Sequence, residues 1–318
     1  MKKPDMRKVT IIGAGNVGAT IAYTLATQGV ANEIVMLDVK KEKAEGEVMD
    51  ISQGSPFFNG TDIIAGDYAD TADSDIVIIT SGVARKPGQT RLDLAQTNIN
   101  VLKTIAPKIT AYAPNAIYLM VSNPVDVMTY VFHKITNIPE RHIIGSGTIL
   151  DTARLRHCLA EHFDISQQNV HAYVFGEHGD SSFVPWSQAN VSCVNIENYR
   201  HTFDEENPIP PVNQAEVEHY VRSSGSEIIS RKGATFYAVA LAAVHICKCI
   251  FSGDDTAMTV SSMMHGEYGI NDVCLSTIKL VGRDGIKAHI PAELDEEEIG
   301  KLHHSAKCLR NVMEQIEY

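Results

Sequence analysis

The sequence predicts an α/β protein, a doubly wound parallel sheet followed by a second domain of α+β character. Three observations carry that expectation. A glycine-rich turn joins an apolar β-type run to a helix-type run near the N-terminus. Several later strand-like runs are apolar without polar alternation, as buried parallel strands are. The 318 residues exceed what one hydrophobic core usually serves, so two units are expected, 1–145 and 146–318.

Taken in order, Lys8–Ile12 is the first β-rich run and leads straight into Gly13, Ala14, Gly15, Asn16, Val17 and Gly18. The helix formers after Gly18 complete a strand–turn–helix context, which is what lifts a GxGxxG pattern above chance. In such a turn Gly13 permits the tight bend, Gly15 lets backbone approach a pyrophosphate, and Gly18 allows close helix–strand packing. The helix N-terminus then offers free N–H groups to phosphate. A second strand, Glu33–Leu37, ends at Asp38, about 20 residues past Gly18. A carboxylate there accepts from an adenosine ribose diol and repels a 2′-phosphate, which selects NAD over NADP. The plainer reading of Asp38 is a turn residue at a strand end.

Asp75–Thr80 and Ala116–Val121 are two further buried-type strands, separated by a helix expected over Leu92–Ala113. At their carboxyl ends, where ligands bind in open α/β sheets, lie two chemically unusual stretches. One is a Gly/Pro-punctuated loop carrying Arg85, Lys86 and Arg91, able to close over a ligand or merely be a solvated basic loop. The other is Val121–Asp126, where Asn123 precedes a proline and either orients a nicotinamide or substrate oxygen, or caps the next helix.

Beyond Gly145, a helix is expected over Asp151–Phe163, with Asp151 in its first turn and Arg154 one turn on. An arginine there forks onto a substrate carboxylate or pairs with Asp151. Tyr173–Trp186 then delivers His178 between Glu177 and Gly179, with glycines at 176 and 179 allowing close approach of backbone and ligand. Alone, this is a turn with a satisfied histidine. Beside Asp151 it becomes an acid/base pair, because a carboxylate that fixes the tautomer and supports the cationic ring is the usual orienter of a catalytic histidine. With NAD, Arg154 for a carboxylate and Arg91 for a polarised carbonyl, the inventory suits hydride transfer to a 2-keto acid.

The remainder reads as scaffold. Asn213–Ser230 is a helix with Glu216, Glu218 and Arg222 solvated, and Ala238–Ile250 is a small-residue helix, buried or at an interface. Val260–Met263 and Val273–Val281 are strands, with Gly282–Gly285 as a hairpin-type turn, and Glu296–Tyr318 is an amphipathic helix opened by acids.

Composition narrows the function. With 44% hydrophobic and 21% charged residues the chain is an ordinary globular protein, and a net charge of −12 argues against nucleic acid or an anionic membrane as main partner. No run is long enough to span a membrane, and Met1–Asp5 lacks the apolar core of a signal peptide. The six cysteines are scattered, and the Cys247/Cys249 pair has no second pair at zinc spacing. Reduced core thiols, no metal and a cytoplasmic location are therefore expected.

Over essentially its whole length the chain resembles the L-lactate/malate dehydrogenase superfamily, and among its members looks most like bacterial L-lactate dehydrogenases. The matching pieces are G-A-G-N-V-G with Asp38, K-P-G-Q-T-R-L-D-L, S-N-P-V-D, L-D-T-A-R-L-R, G-E-H-G-D-S and K-G-A-T-F-Y. The resemblance implies a Rossmann domain with a substrate domain, and NAD-dependent interconversion of pyruvate and lactate in fermentative glycolysis. It assigns His178 as proton donor and acceptor, Asp151 as its partner, Arg154 as the carboxylate anchor and Arg91 as the carbonyl-polarising residue. Asn123 and Thr235 line the substrate pocket. One position departs from the lactate pattern. Lactate enzymes generally carry Gln where this chain has Arg85, and malate enzymes carry Arg there to pair with the second carboxylate of oxaloacetate. An unpaired Arg buried against a methyl group costs several kcal/mol, so Arg85 either faces a carboxylate or turns to solvent. Thr235, Val239 and T-R-L-D-L favour lactate, so pyruvate is the expected substrate, with oxaloacetate or dual specificity as alternatives. The resemblance further implies a homotetramer or dimer, and fructose 1,6-bisphosphate as an allosteric effector held by Arg156 and His171. Outside the enzyme class, the rival is a protein that holds NAD without turnover, which needs neither the His178–Asp151 pair nor two substrate arginines.

Overall fold

The computed structural model describes residues 7–58, 60–83, 91–199 and 209–318. The first half alternates strand and helix: β1 (Lys8–Ile12), α1 (Asn16–Thr27), β2 (Glu33–Leu37), α2 (Lys41–Gln53), β3 (Asp62–Ala65) and β4 (Ile76–Ile79). It continues through α3 (Arg91–Tyr112), β5 (Ile117–Met120), α4 (Val125–Ile135) and β6 (Ile143–Gly145). Then come α5 (Ile149–Phe163) and three two-residue strands, β7 (Val170–His171), β8 (Asn190–Val191) and β9 (Val194–Asn195). The chain closes with α6 (Gln214–Lys232), α7 (Tyr237–Ser252), β10 (Thr256–His265), β11 (Asn271–Gly282), β12 (Gly285–His289) and α8 (Glu296–Met313).

The main sheet runs in the order β12-β11-β10-β6-β5-β4-β1-β2-β3. From β6 to β3 every pairing is parallel, and the order reverses between β1 and β4. That is the doubly wound arrangement, with its ligand crevice at the reversal. The antiparallel strands β10–β12 extend the same sheet, because β10 pairs β6 at Ser261 and Gly145. The Gly282–Gly285 turn joins β11 to β12 as the sequence suggests.

Period-two alternation sorts the buried strand residues between two cores. Ile76 and Ile78 pack with α1 and α7, whereas Val77 and Ile79 face α3, α4 and α8. Each fully buried aliphatic side chain contributes about 1.5–3 kcal/mol, so a strand buried on both faces needs no polar alternation. A third cluster joins α5, Val170, Trp186 and α6. Helix ends differ from expectation by a few residues: α6 continues through Arg231 and Lys232, whose charges suit a helix C-terminus, and α8 stops at Met313. Glu216 and Arg222 are exposed as expected, whereas Glu218 is only half-exposed. Glu218 accepts from the Trp186 indole at 2.9 Å and pairs with Arg222 at 3.0 Å, and Arg222 also donates to the Ser182 carbonyl. Trp186 buries its ring but needs a partner for its N–H, and α6 supplies it. Among the described residues, no helix is long and apolar enough to cross a membrane.

Candidate active site

The carboxyl ends of β1 and β4 meet at the glycine turn. Gly13 has φ +112°, and a Cβ there would lie 2.7 Å from Thr80 Oγ1 and 2.8 Å from Ser81 N. A Cβ on Gly18 would lie 1.9 Å from the Gly13 carbonyl, so α1 rests directly on the turn. Gly15 has nothing within 4 Å of where its Cβ would be, which leaves the outer side of the turn open to a ligand. No side chain caps α1, so its first N–H groups remain available to an anion. Asn16 is exposed beside them and Val17 half-buried. Asp38 accepts from Ala14 N at 2.8 Å and Lys40 N at 2.9 Å. These bonds aim its carboxylate over the turn and leave further lone pairs free. An open glycine, an uncapped helix start and a half-exposed carboxylate fit a dinucleotide.

The second cluster lies on α5. Asp151 is buried in the first turn and uses both oxygens: Oδ1 accepts from Arg154 Nη1 at 2.8 Å and Oδ2 contacts His178 Nδ1 at 2.5 Å. The two readings of Arg154 are thus compatible, since the intrahelical pair fixes the same guanidinium that would meet a substrate. Arg154 is 13% exposed and His178 27%, so the imidazole keeps one open side. Gly225 of α6 gives Arg154 room, with its would-be Cβ 3.7 Å from Nη2. Burial opposes ionisation of Asp151, but the His178 charge and hydrogen bond, then those of Arg154, outweigh it and hold the carboxyl below its ordinary value. The Asp151 charge in turn pushes His178 up to about 9, against the effect of burial. With Nδ1 engaged, Nε2 is the nitrogen that carries a transferable proton.

The His178 segment has little regular structure and is held from outside. Phe175 and Phe183 form a short antiparallel bridge, and Gly176 exchanges backbone hydrogen bonds with Ser276 of β11 at 2.9 and 3.1 Å. Glu177 N donates to Ser305 Oγ of α8 at 2.7 Å, and His178 N donates to Asp126 Oδ2 of α4 at 2.8 Å. Asp126 Oδ1 accepts from Ser261 Oγ of β10 at 2.6 Å. The glycines here make room for the chain itself. Gly176, at φ +93°, passes where a Cβ would meet Ser305 Oγ at 2.6 Å, and Gly179 packs against the Glu177 carboxylate. Sequence reasoning did not single out Asp126, Ser261 or Ser305. For Asp126 a signal existed: it is the one acid within the apolar run Val125–Phe132.

The other expected residues are more dispersed. Asn123 is exposed at the end of β5, and its carbonyl accepts from Asn98 Nδ2 at 2.7 Å. Because α4 starts two residues later, Asn123 and the His178 anchor Asp126 share one short segment. Thr235 is half-buried between α6 and α7. Arg91 opens α3, and its side chain lies outside the described residues, as does all of Arg85. Arg156 donates through Nε to the Ala172 carbonyl at 3.0 Å and stacks 4.7 Å from the Tyr173 ring centre, while His171 is exposed on β7. Arg156 and Tyr173 line a cavity of about 440 Å³ between α5, α7 and β10.

Comparison with known proteins gives a consistent answer over the whole chain. Residues 7–145 match the NAD binding domain of lactate/malate dehydrogenase, and residues 148–318 match its alpha/beta C-terminal domain. An L-lactate dehydrogenase of Clostridium perfringens is 44% identical over 98% of this chain and 97% of its own. One from Clostridium botulinum is 45% identical, covering 98% of each chain. Among solved structures, a lactate dehydrogenase from a Medee basin deep-sea metagenome library superposes with a TM-score of 0.93 at 39% identity, over 99% of this chain and 100% of that one. The minor L-lactate dehydrogenase of Enterococcus mundtii gives 0.93 at 35%, over 98% and 99%. The glycine cradle and the Arg154–Asp151–His178 cluster therefore sit in a chain that belongs to the lactate/malate dehydrogenase family.

Proposed function

We propose that this chain is an NAD-dependent L-lactate dehydrogenase that interconverts pyruvate and L-lactate. The observation that carries the reading is one buried carboxylate, Asp151, holding both Arg154 at 2.8 Å and His178 at 2.5 Å. A group that binds an anion and a group that gives a proton are thereby set at a fixed separation, which is the requirement of a small keto acid. The glycine turn, Asn16, Val17 and Asp38 would hold the dinucleotide, and Asn123 would orient its nicotinamide. When bound, the cofactor would supply the hydride that the keto carbon receives. His178 gives its Nε2 proton to the keto oxygen in that step, Asp151 supports the imidazolium before transfer, and Arg154 holds the carboxylate. Arg91 polarises the carbonyl, and Thr235 closes the pocket around the methyl group. In lactate oxidation the neutral imidazole takes the hydroxyl proton. On this reading residues 1–145 bind the cofactor and lend Arg91 to the substrate, and 146–318 supply Arg154, His178 and Thr235.

A second reading rests on Arg85, which suits the second carboxylate of oxaloacetate. The test is NADH oxidation with pyruvate and with oxaloacetate, in the wild type and in Arg85→Gln. Higher kcat/KM for pyruvate in both is expected and turns Arg85 to solvent. A lead for oxaloacetate that the substitution reverses would replace the lactate assignment with malate.

The same reading makes the protein a cytoplasmic homo-oligomer, a dimer or tetramer, responsive to fructose 1,6-bisphosphate through Arg156 and His171. Support for assembly comes from apolar side chains left outside, with Tyr237 and Leu241 on α7 and Met49 on α2 all more than half exposed. Arg156 supports the effector site through its place beside Ala172, the neighbour of His171. Sedimentation velocity with and without fructose 1,6-bisphosphate is expected to show a dimer or larger, tightened by the effector. A monomer under both conditions would remove this part of the reading.

A further inference from the structure

Asp126 is a buried acid that the proton-transfer scheme leaves without a task. It is 2% exposed in the first turn of α4, and its carboxylate is spent on the His178 backbone N–H and the Ser261 hydroxyl. Neither bond requires a charge. An asparagine would accept from His178 N through its carbonyl and donate to Ser261 Oγ, since a hydroxyl can take either role. What only a carboxylate adds is a negative charge beside the catalytic segment, in a setting where burial makes charge expensive.

The surrounding charges show where that charge acts. From α5, Asp151 attracts the His178 ring and Arg154 repels it. From the segment itself Glu177 faces Asp126, and from β11 Cys274 lies near it, while β10 contributes the neutral Ser261. Because Asp151 divides its oxygens between Arg154 and His178, one carboxylate stands against two cations when the ring is protonated. We propose that Asp126 is the second counter-charge and the backbone anchor of His178, a positioning residue that keeps the imidazole both placed and protonated before the keto acid is reduced. The inference rests on the reading of His178 as the proton donor. In support, Asp151 and then Asp126 both raise His178, and burial pushes the Asp126 carboxyl itself up to about 6, so it is ionised at neutral pH.

The test compares the wild type, Asp126→Asn and His178→Asn. Two readouts are taken, the kcat/KM profile for pyruvate from pH 6 to 10 and the His178 titration followed by NMR of histidine-labelled protein. Asp126→Asn is expected to lower the His178 titration midpoint by roughly one unit. It then leaves kcat/KM within about twofold at pH 6 and roughly fivefold down at pH 9. A loss of equal size at every pH, or an unmoved NMR midpoint, would overturn the proposal and leave Asp126 a structural residue. Failure of the underlying reading looks different, since His178→Asn would then keep its turnover. Should Asp126→Asn not fold, Asp126→Ser, which is smaller and equally neutral, provides the same two readouts.

Discussion

The two sides of the cleft are built in opposite ways. On the cofactor side, Gly13 to Gly18 are consecutive, and their partners Thr80 and Asp38 lie at the ends of strands adjacent to β1. On the catalytic side, His178 meets Asp151 across 27 residues and Asp126 across 52, while its neighbour Glu177 meets Ser305 across 128. A local turn defines itself through steric limits on its own backbone. The His178 segment has almost no regular hydrogen bonding of its own and borrows its geometry from α4, α5, β11 and α8. A glycine turn can therefore be written in six residues, whereas the placement of His178 needs a finished fold around it.

The difference can be tested by breaking each side in turn. The largest effect is expected from Asp151→Asn, which keeps the shape of the carboxylate but removes the charge that raises His178 and pairs Arg154. Turnover of pyruvate should fall by about 10²–10⁴-fold, while NADH binding, followed by fluorescence, stays within a factor of about two. The pH dependence has a definite sign. In the wild type His178 stays protonated until pH rises through about 9, so reduction is sustained below that point and lost above it, and lactate oxidation gains as reduction fades. In Asp151→Asn the loss should begin at lower pH. The same shift bears on stability: a raised histidine stabilises the fold fully below its ordinary value of 6.5 and ceases to do so as pH passes about 9.

A smaller effect on turnover, but a larger one on cofactor binding, is expected from Gly18→Val. Its Cβ would overlap the Gly13 carbonyl, so the turn must open. NADH affinity should drop by about tenfold or more, roughly 1.4 kcal/mol per decade, with the NMR titration of His178 unchanged. If that titration moved as well, the two sides would be mechanically coupled and the contrast drawn above would be wrong. Smallest of all is the one-unit shift of His178 expected in Asp126→Asn, which shows how far His178 depends on a residue 52 positions earlier in the chain.

How much was legible follows the same divide. The doubly wound sheet could be read because β1, β2, β4 and β5 are short runs buried on both faces, bounded by turns and joined by helix-period segments. Asp38 could be read because its distance from Gly18 is set by one β–α–β unit. His178, Asp151 and Arg154 could be named as a set, since their chemistry is unusual and two of them sit one helical turn apart. Glu218 was misread as solvent-facing, because periodicity places it on a polar face and only the docking of Trp186 shows that α6 is covered there. Serines 261 and 305 carry no local signal at all, being ordinary residues within a strand and a helix.

The sequence alone thus determined the fold class, the glycine turn and the pairing of His178 with Asp151, because each depends on backbone sterics, side-chain periodicity or a distinctive functional group. Only the tertiary structure decided that Asp151 serves Arg154 and His178 at once, and that His178 hangs from Asp126 by its backbone. The same holds for α8, which reaches across 128 residues to hold Glu177. The physical reason is that hydrogen bonds act over about 3 Å, and which groups come that close is settled by packing between elements far apart in the chain.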